Sequence, residues 1–222
     1  MKPFFILCVL FPVAANAAST TFTQTWNIST AIPDNDDVGF TDMRTVSAPE
    51  ITEIESMTVN LTLSGGWNGD LFAYLVHDSG FSVLLNRVGK DSANPDGAGS
   101  SGLNITFSEG ASSDVHTTIP LTGIMVSGNY QPDGRTTDPL FVDSGDARTA
   151  MLGSFTGLDA NGIWTLFIAD QAAGDTSTLE SWSLSITGVP EPTTALLGGL
   201  GMLLLFRRKK SSRSIPPVTK NF

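Results

Sequence analysis

The stretch FTGLDANGIWTLFIADQAAGDTSTLESWSLSITG, Phe155 to Gly188, decides how the chain folds. It opens in a turn cluster, GLDANG (Gly157–Gly162), in which Asn161-Gly162 supplies the positive-φ residues that send the chain into a strand. The run IWTLFIAD (Ile163–Asp170) is apolar on both faces, as a central strand of a packed sandwich is. After the turn QAAG (Gln171–Gly174), Trp182, Leu184 and Ile186 recur at period two, the signature of a half-buried strand. Trp164 and Trp182, read as neighbours on adjacent strands, supply large buried area to the core.

Working outward, the same period returns. Val59, Leu61 and Leu63 alternate with Thr58, Asn60 and Thr62, and Leu103, Ile105 and Phe107 form another apolar face. LFAYLVHD (Leu71–Asp78) is a second strand apolar on both faces. SGGWNGD (Ser64–Asp70), DSANPDGAGSSG (Asp91–Gly102) and YQPDGRTTD (Tyr130–Asp138) punctuate these runs as turns. Helical periodicity is almost absent before the C-terminal run, so one all-β domain is expected over residues 18–188.

The 222 residues carry a formal charge of −10, unevenly placed. Between Ala18 and Pro190 five basic residues face 21 acidic ones, leaving that body near −16. Such a body repels phosphate backbones, which argues against nucleic acid as a partner. Lys2, the apolar run Phe4–Ala14 and Ala15-Asn16-Ala17 have the order of a secretory signal peptide over residues 1–17. The single cysteine, Cys8, lies inside that segment, so the mature chain has no disulfide and must rest on a hydrophobic core.

Phe155, Gly157, Asn161-Gly162, Trp164-Thr165-Leu166, Asp170, Asp175, Leu179 and Trp182-Ser183-Leu184 together resemble the closing segment of the P domain, or P/Homo B domain. AIPDND (Ala31–Asp36) resembles that family's opening stretch and WNGDLFAYLVHDSG (Trp67–Gly80) its W-x-G-D-L strand. The resemblance implies a jelly-roll-like β-sandwich of the kind found beside subtilisin-like proprotein convertases and in bacterial secreted proteins. Ser177 departs from the family's usual glycine, the loop Asp91–Gly102 departs too, and residues 109–146 match poorly.

At the other end, Val189-Pro190-Glu191-Pro192 precedes an apolar segment, Thr193–Phe206, and the basic cluster opening at Arg207 and Arg208. Fourteen apolar-segment residues are fewer than the ~20 of an independent membrane span. A short hydrophobic helix held by cytoplasmic basic charge has the form of a sorting tail. The three parts in order, over residues 189–210, resemble the PEP-CTERM signal, which implies processing by a membrane exosortase. Residues 211–222 read as a cytoplasmic tail, longer than most such signals carry.

Catalytic chemistry is harder to find. His77 ends an apolar strand and His116 sits in a Ser/Thr-rich loop. Asp78-Ser79-Gly80 and Asp143-Ser144-Gly145 resemble protease motifs superficially, but both lie in turn-like sequence. No nucleophile segment accompanies them, so no enzyme is expected. Calcium is the better cation hypothesis, because it takes carboxylate and carbonyl oxygens from loops. Asp34 and Asp36 form one oxygen-rich cluster; Asp170 and Asp175 fall at family positions that serve a cation in some members; Asp70 joins if the strand ends converge.

The resulting expectation is an exported, non-enzymatic surface or extracellular-matrix protein. Its processing partners are signal peptidase and exosortase, and its lasting partner is extracellular polysaccharide or another surface protein. One rival is an accessory domain for a separate subtilisin-like serine protease. Another is a carbohydrate-binding module resting on Trp67.

Overall fold

The computed structural model describes residues 18–189. The predicted signal peptide, residues 190–192 of the sorting motif, the segment 193–206, Arg207, Arg208 and the tail lie outside the described residues. Among the described residues no helix is long and apolar enough to cross a membrane.

Among those residues nine strands form two sheets. In chain order they are β1 (Thr20–Ala31), β2 (Asp36–Val46), β3 (Glu53–Gly65), β4 (Leu71–His77), β5 (Gly80–Asn86), β6 (Ser101–Ser108), β7 (Ile124–Tyr130), β8 (Gly162–Asp170) and β9 (Ser177–Val189). A five-stranded sheet runs β1-β9-β3-β6-β7 and a four-stranded sheet runs β2-β8-β4-β5. These pairings are antiparallel except β6 with β7. The chain is all-β, as the alternating patterns require, and the jelly-roll-like sandwich is the architecture.

Strand by strand, the apolar period sets the inner faces. Val59, Leu61 and Leu63 of β3, Leu103, Ile105 and Phe107 of β6, and Trp182, Leu184 and Ile186 of β9 are all wholly buried, or nearly so. The two runs apolar on both faces, β4 and β8, are the central pair of the smaller sheet. In that sheet β4–β5 makes a tight hairpin, turning at Asp78-Ser79 with Asp78 at φ +50°. Aspartate tolerates that left-handed conformation better than most residues. Gly39 lies in a register shift of β2, where a Cβ would come 2.5 Å from the carbonyl oxygen of Ile168. Only glycine lets β2 bulge over β8 there.

The two tryptophans correct one expectation. They are not on neighbouring strands: Trp164 belongs to β8 in the smaller sheet and Trp182 to β9 in the larger. The segment Gln171–Thr176 therefore crosses between sheets and is no hairpin turn. Both indoles are fully buried, and both N–H groups are satisfied, as buried indoles require. Trp164 Nε1 donates to the carbonyl oxygen of Ala160 at 3.0 Å. Trp182 Nε1 donates across the sandwich to Asp42 of β2 at 2.7 Å.

Candidate functional site

Asp170 ends β8 and lies in register with Asp36 of β2 on one side and Leu71 of β4 on the other. The strand ends do converge. Asp70 immediately precedes Leu71, and the backbone N–H of Gln171 donates to its carbonyl oxygen at 2.8 Å. Asp170 is completely buried and Asp70 nearly so. Asp34 approaches from the segment before β2, accepting from the N–H of Gly174 at 3.2 and 3.3 Å. Asp175 stands exposed on the same crossing loop.

The electrostatics follow from this crowding. Burial pushes the Asp70 carboxyl up to about 6, against the opposing pull of Arg87, and the charges of Asp170 and Asp175 add to the rise. Burial also raises Asp170, opposed by the N–H of Ala172 and reinforced by the charge of Asp34. Arg87 meets Asp70 Oδ1 at 3.2 Å and the carbonyl oxygen of Gly69 at 2.9 Å. Asp170 Oδ1 accepts from Ala172 at 3.1 Å, while its Oδ2 is buried without a partner.

These residues gather without making a coordination shell. Asp34 is engaged by Gly174, Asp36 accepts from the N–H of Val38 at 2.9 Å, and Asp70 is paired with Arg87. Among the described residues no three His, Asp or Glu side chains come together to hold a metal ion. Asp170 Oδ2 is the one buried carboxylate oxygen of this group without a hydrogen-bond partner. As placed, the five carboxylates do not fit the six to eight oxygens that calcium takes.

Both histidines are committed to structure. His116 lies on the helical turn Val115–Thr118 and is wholly buried in its side chain, with Nδ1 2.7 Å from Asp133 and Nε2 2.8 Å from the carbonyl oxygen of Lys90. A His–Asp pair of this kind orients the base of a serine hydrolase, but there the far nitrogen must face the serine. Here it faces a carbonyl. His77 likewise has both ring nitrogens on carbonyl oxygens, Ile163 at 2.9 Å and Asp159 at 2.7 Å, and its ring stacks on Trp164 at 4.1 Å. Asp78-Ser79 is the β4–β5 turn, and Asp143 accepts from the N–H of Gly145 at 3.1 Å in a local turn of its own. Asp133, Arg135 and Asp114, which complete the His116 cluster, carry no periodic or spacing signal in the sequence. The Pro-Asp-Gly run before Arg135 reads only as a turn.

Trp67 does not present an open face. It is half-buried, its N–H donates to the carbonyl oxygen of Asp96 at 3.1 Å, and a Cβ on Gly99 would lie 2.6 Å from its ring. The indole clasps the loop Asp96–Gly99.

The proprotein convertase P-domain model matches residues 141–186, and the PEP-CTERM protein-sorting motif matches residues 188–210. The first range contains β8 and most of β9 but neither upstream stretch, Ala31–Asp36 or Trp67–Gly80. Similar solved structures include a serine protease of Aeromonas sobria, 18% identical with a TM-score of 0.44, covering 77% of this chain and 27% of that one. The same protease in complex with its chaperone gives 18% identity and a TM-score of 0.44 over 78% of this chain and 27% of the other. The chain thus spans about a quarter of the length of these structures. No curated protein sequence matches it. The chain joins a segment similar to the proprotein convertase P-domain to a PEP-CTERM sorting motif.

Proposed function

We propose that this protein is a non-enzymatic component of the bacterial surface or extracellular matrix, structural or adhesive in role. The observation that carries the reading is the sorting motif at residues 188–210, which implies export and exosortase processing. The fold is compatible with cuts at both ends. β1 begins at Thr20, beyond the small-x-small site ending at Ala17, and β9 ends at Val189, just before Pro190-Glu191-Pro192. Removal of either flank would leave every described strand whole. The committed ring nitrogens of His77 and His116 support a non-catalytic role.

The test is the intact mass of the extracellular protein from its native host. A chain running from Ala18 to the Pro190–Pro192 region, with or without an added envelope group, is the expected result. A chain intact through Phe222 in the membrane fraction would sink the sorting reading. The P-domain match favours a second reading, an accessory domain for a separate subtilisin-like protease. Recovery of the extracellular protein in stable complex with such a protease would establish it.

A further inference from the structure

The outer face of the four-stranded sheet holds an aromatic floor that no single stretch of sequence displays. Tyr74 of β4 and Phe167 of β8 are register partners, stacked at 4.7 Å with 17° between planes. Phe72 meets them edge-on, 5.9 Å from Tyr74 and 6.3 Å from Phe167. All three rings are half-buried. They line a groove of about 490 Å³, bounded by Asn35 and Asp37 at the start of β2 and by Pro139 and Leu140 of the loop before β8.

That loop is braced rather than loose. Lys90 Nζ donates to the carbonyl oxygens of Leu140 at 3.0 Å and Val142 at 3.3 Å. The N–H of Leu140 donates to Asp138 Oδ1 at 2.8 Å, and Asn86 Nδ2 donates to the carbonyl oxygen of Thr137 at 2.8 Å. Three carboxyl residues, Asp37, Asp138 and Asp170, line the groove with the amides of Asn35 and Gln171, and among the described residues no Lys or Arg does.

Charge decides among occupants. Aromatic faces are electronegative and attract cations, and the acids beside them act in the same direction. A uronate or sulfated polymer would meet only repulsion. A second copy of this chain would bring another acidic body to an acidic rim. An amino sugar fits both halves of the chemistry: its C–H face covers the rings, and its ammonium and hydroxyl groups reach the carboxylates and amides. We propose that this groove binds a glycan of amino sugars with free ammonium groups. The source of such a glycan rests on the surface reading above; the site itself does not.

The test is calorimetry on the mature protein at low and high salt, with glucosamine hexamer, its fully N-acetylated counterpart, an oligouronate and pentalysine as probes. Glucosamine hexamer should bind, weaken with salt, and lose at least about tenfold in affinity in Phe167→Ala, the loss of roughly one favourable ring contact. The double variant Asp37→Asn/Asp138→Asn, with both sites exposed, should lose a similar factor while melting like the parent. Equal binding of the acetylated hexamer, binding of the oligouronate, equal capture of pentalysine with the same variant losses, or no binding to glucosamine hexamer would each overturn the proposal. Binding by a chain that keeps its C-terminus would sink the sorting reading alone. Correct processing without binding would sink the groove alone.

Discussion

The sandwich has two outer faces, and they differ in kind. On the five-stranded sheet, side chains satisfy one another in polar ladders: Thr21 with Thr187 at 2.9 Å, Thr23 with Ser185 at 3.0 Å, and Asn60 with Asn104 at 3.3 Å and Thr106 at 3.2 Å. On the four-stranded sheet the corresponding positions carry Phe72, Tyr74 and Phe167, with Phe81 packed against Tyr74 at 5.5 Å. The inner faces of both sheets are predominantly apolar because burial leaves little choice. The outer faces are free to differ, so their difference reports on use. A hydroxyl ladder is content in water. Half-buried rings leave apolar area uncovered, which is where partners are sought.

The largest expected effect comes from uncoupling the aromatic face's wall from the core. Asp133, fully buried, is shared by His116 at 2.7 Å and Arg135 at 3.3 Å and accepts the N–H of Asn86 at 3.2 Å. Asp133→Ala would strand buried positive charge, a loss on the order of 3–5 kcal/mol. Denaturant titration should show that loss. Hydrogen exchange should place the lost protection in residues 131–148 and not in β1 and β9. Uniform loss across both sheets would break the idea that the two faces are separately supported.

A pH scan sharpens the same point. Burial pulls His116 down, but the hydrogen bond and charge of Asp133 and the carbonyl of Lys90 outweigh it, so its pKa lies above the ordinary histidine value. The folded value is raised, so the stabilisation is fully present below the unfolded histidine pKa. It is lost as pH rises through the folded value, at about 1.4 kcal/mol for each pH unit that separates the folded from the unfolded pKa. Melting temperature should therefore fall on the alkaline side of that window, and His116→Gln should flatten this segment of the profile. An unchanged slope in the variant would assign the pH dependence elsewhere.

What can be read from the sequence divides along the same line. Period-two patterns locate β3, β6 and β9, and two-faced apolar runs locate the centre of the smaller sheet. Burial writes itself into spacing. Partnership across the sandwich does not: Trp164 and Trp182 look like hairpin neighbours because the chain joins their strands directly, yet the connection changes sheets. The aromatic floor is invisible in the sequence for a related reason, since its rings come from β4 and β8, separated by some ninety residues of loops and other strands. Trp67, conspicuous in its glycine-rich turn, invites a ligand-stacking role that the clasped indole does not support. For the acids, proximity is legible and engagement is not. Asp70 and Asp170 do meet at the strand end, but no sequence pattern announces that Arg87 pairs with Asp70 or that backbone amides bind Asp34, Asp36 and Asp170.

That strand end gives the next smaller effect. Asp70, at about 6, has a folded pKa above its unfolded value, so its contribution is present at low pH and is lost as pH rises from the ordinary carboxylate range through about 6. At neutral pH the ionised Asp70 therefore costs stability, chiefly through its burial and in smaller part through the charge of Asp170. Asp170→Asn should raise the melting temperature at pH 7.5, with a gain on the order of 1 kcal/mol from removing a buried charge and its smaller repulsion of Asp70. Because the carboxylates do not converge on a common point, no response to added calcium or to chelator is expected. A calcium-dependent rise in the parent, absent in Asp170→Asn, would instead mean that Asp34 leaves Gly174 and joins Oδ2 around the ion, restoring the calcium reading.

The smallest effect belongs on the polar face. Thr23→Val removes the hydroxyl that meets Ser185 but keeps the β-branched shape, and Thr23 is exposed. Cross-strand polar pairs of this sort contribute a few tenths of a kcal/mol, so melting should hardly move. Glucosamine-hexamer affinity should not move at all. A matched change on the other face, Phe72→Thr, should spare the fold less and the ligand far less. If the two substitutions instead altered binding equally, the outer faces would be doing the same work, and their difference in chemistry would carry no functional meaning.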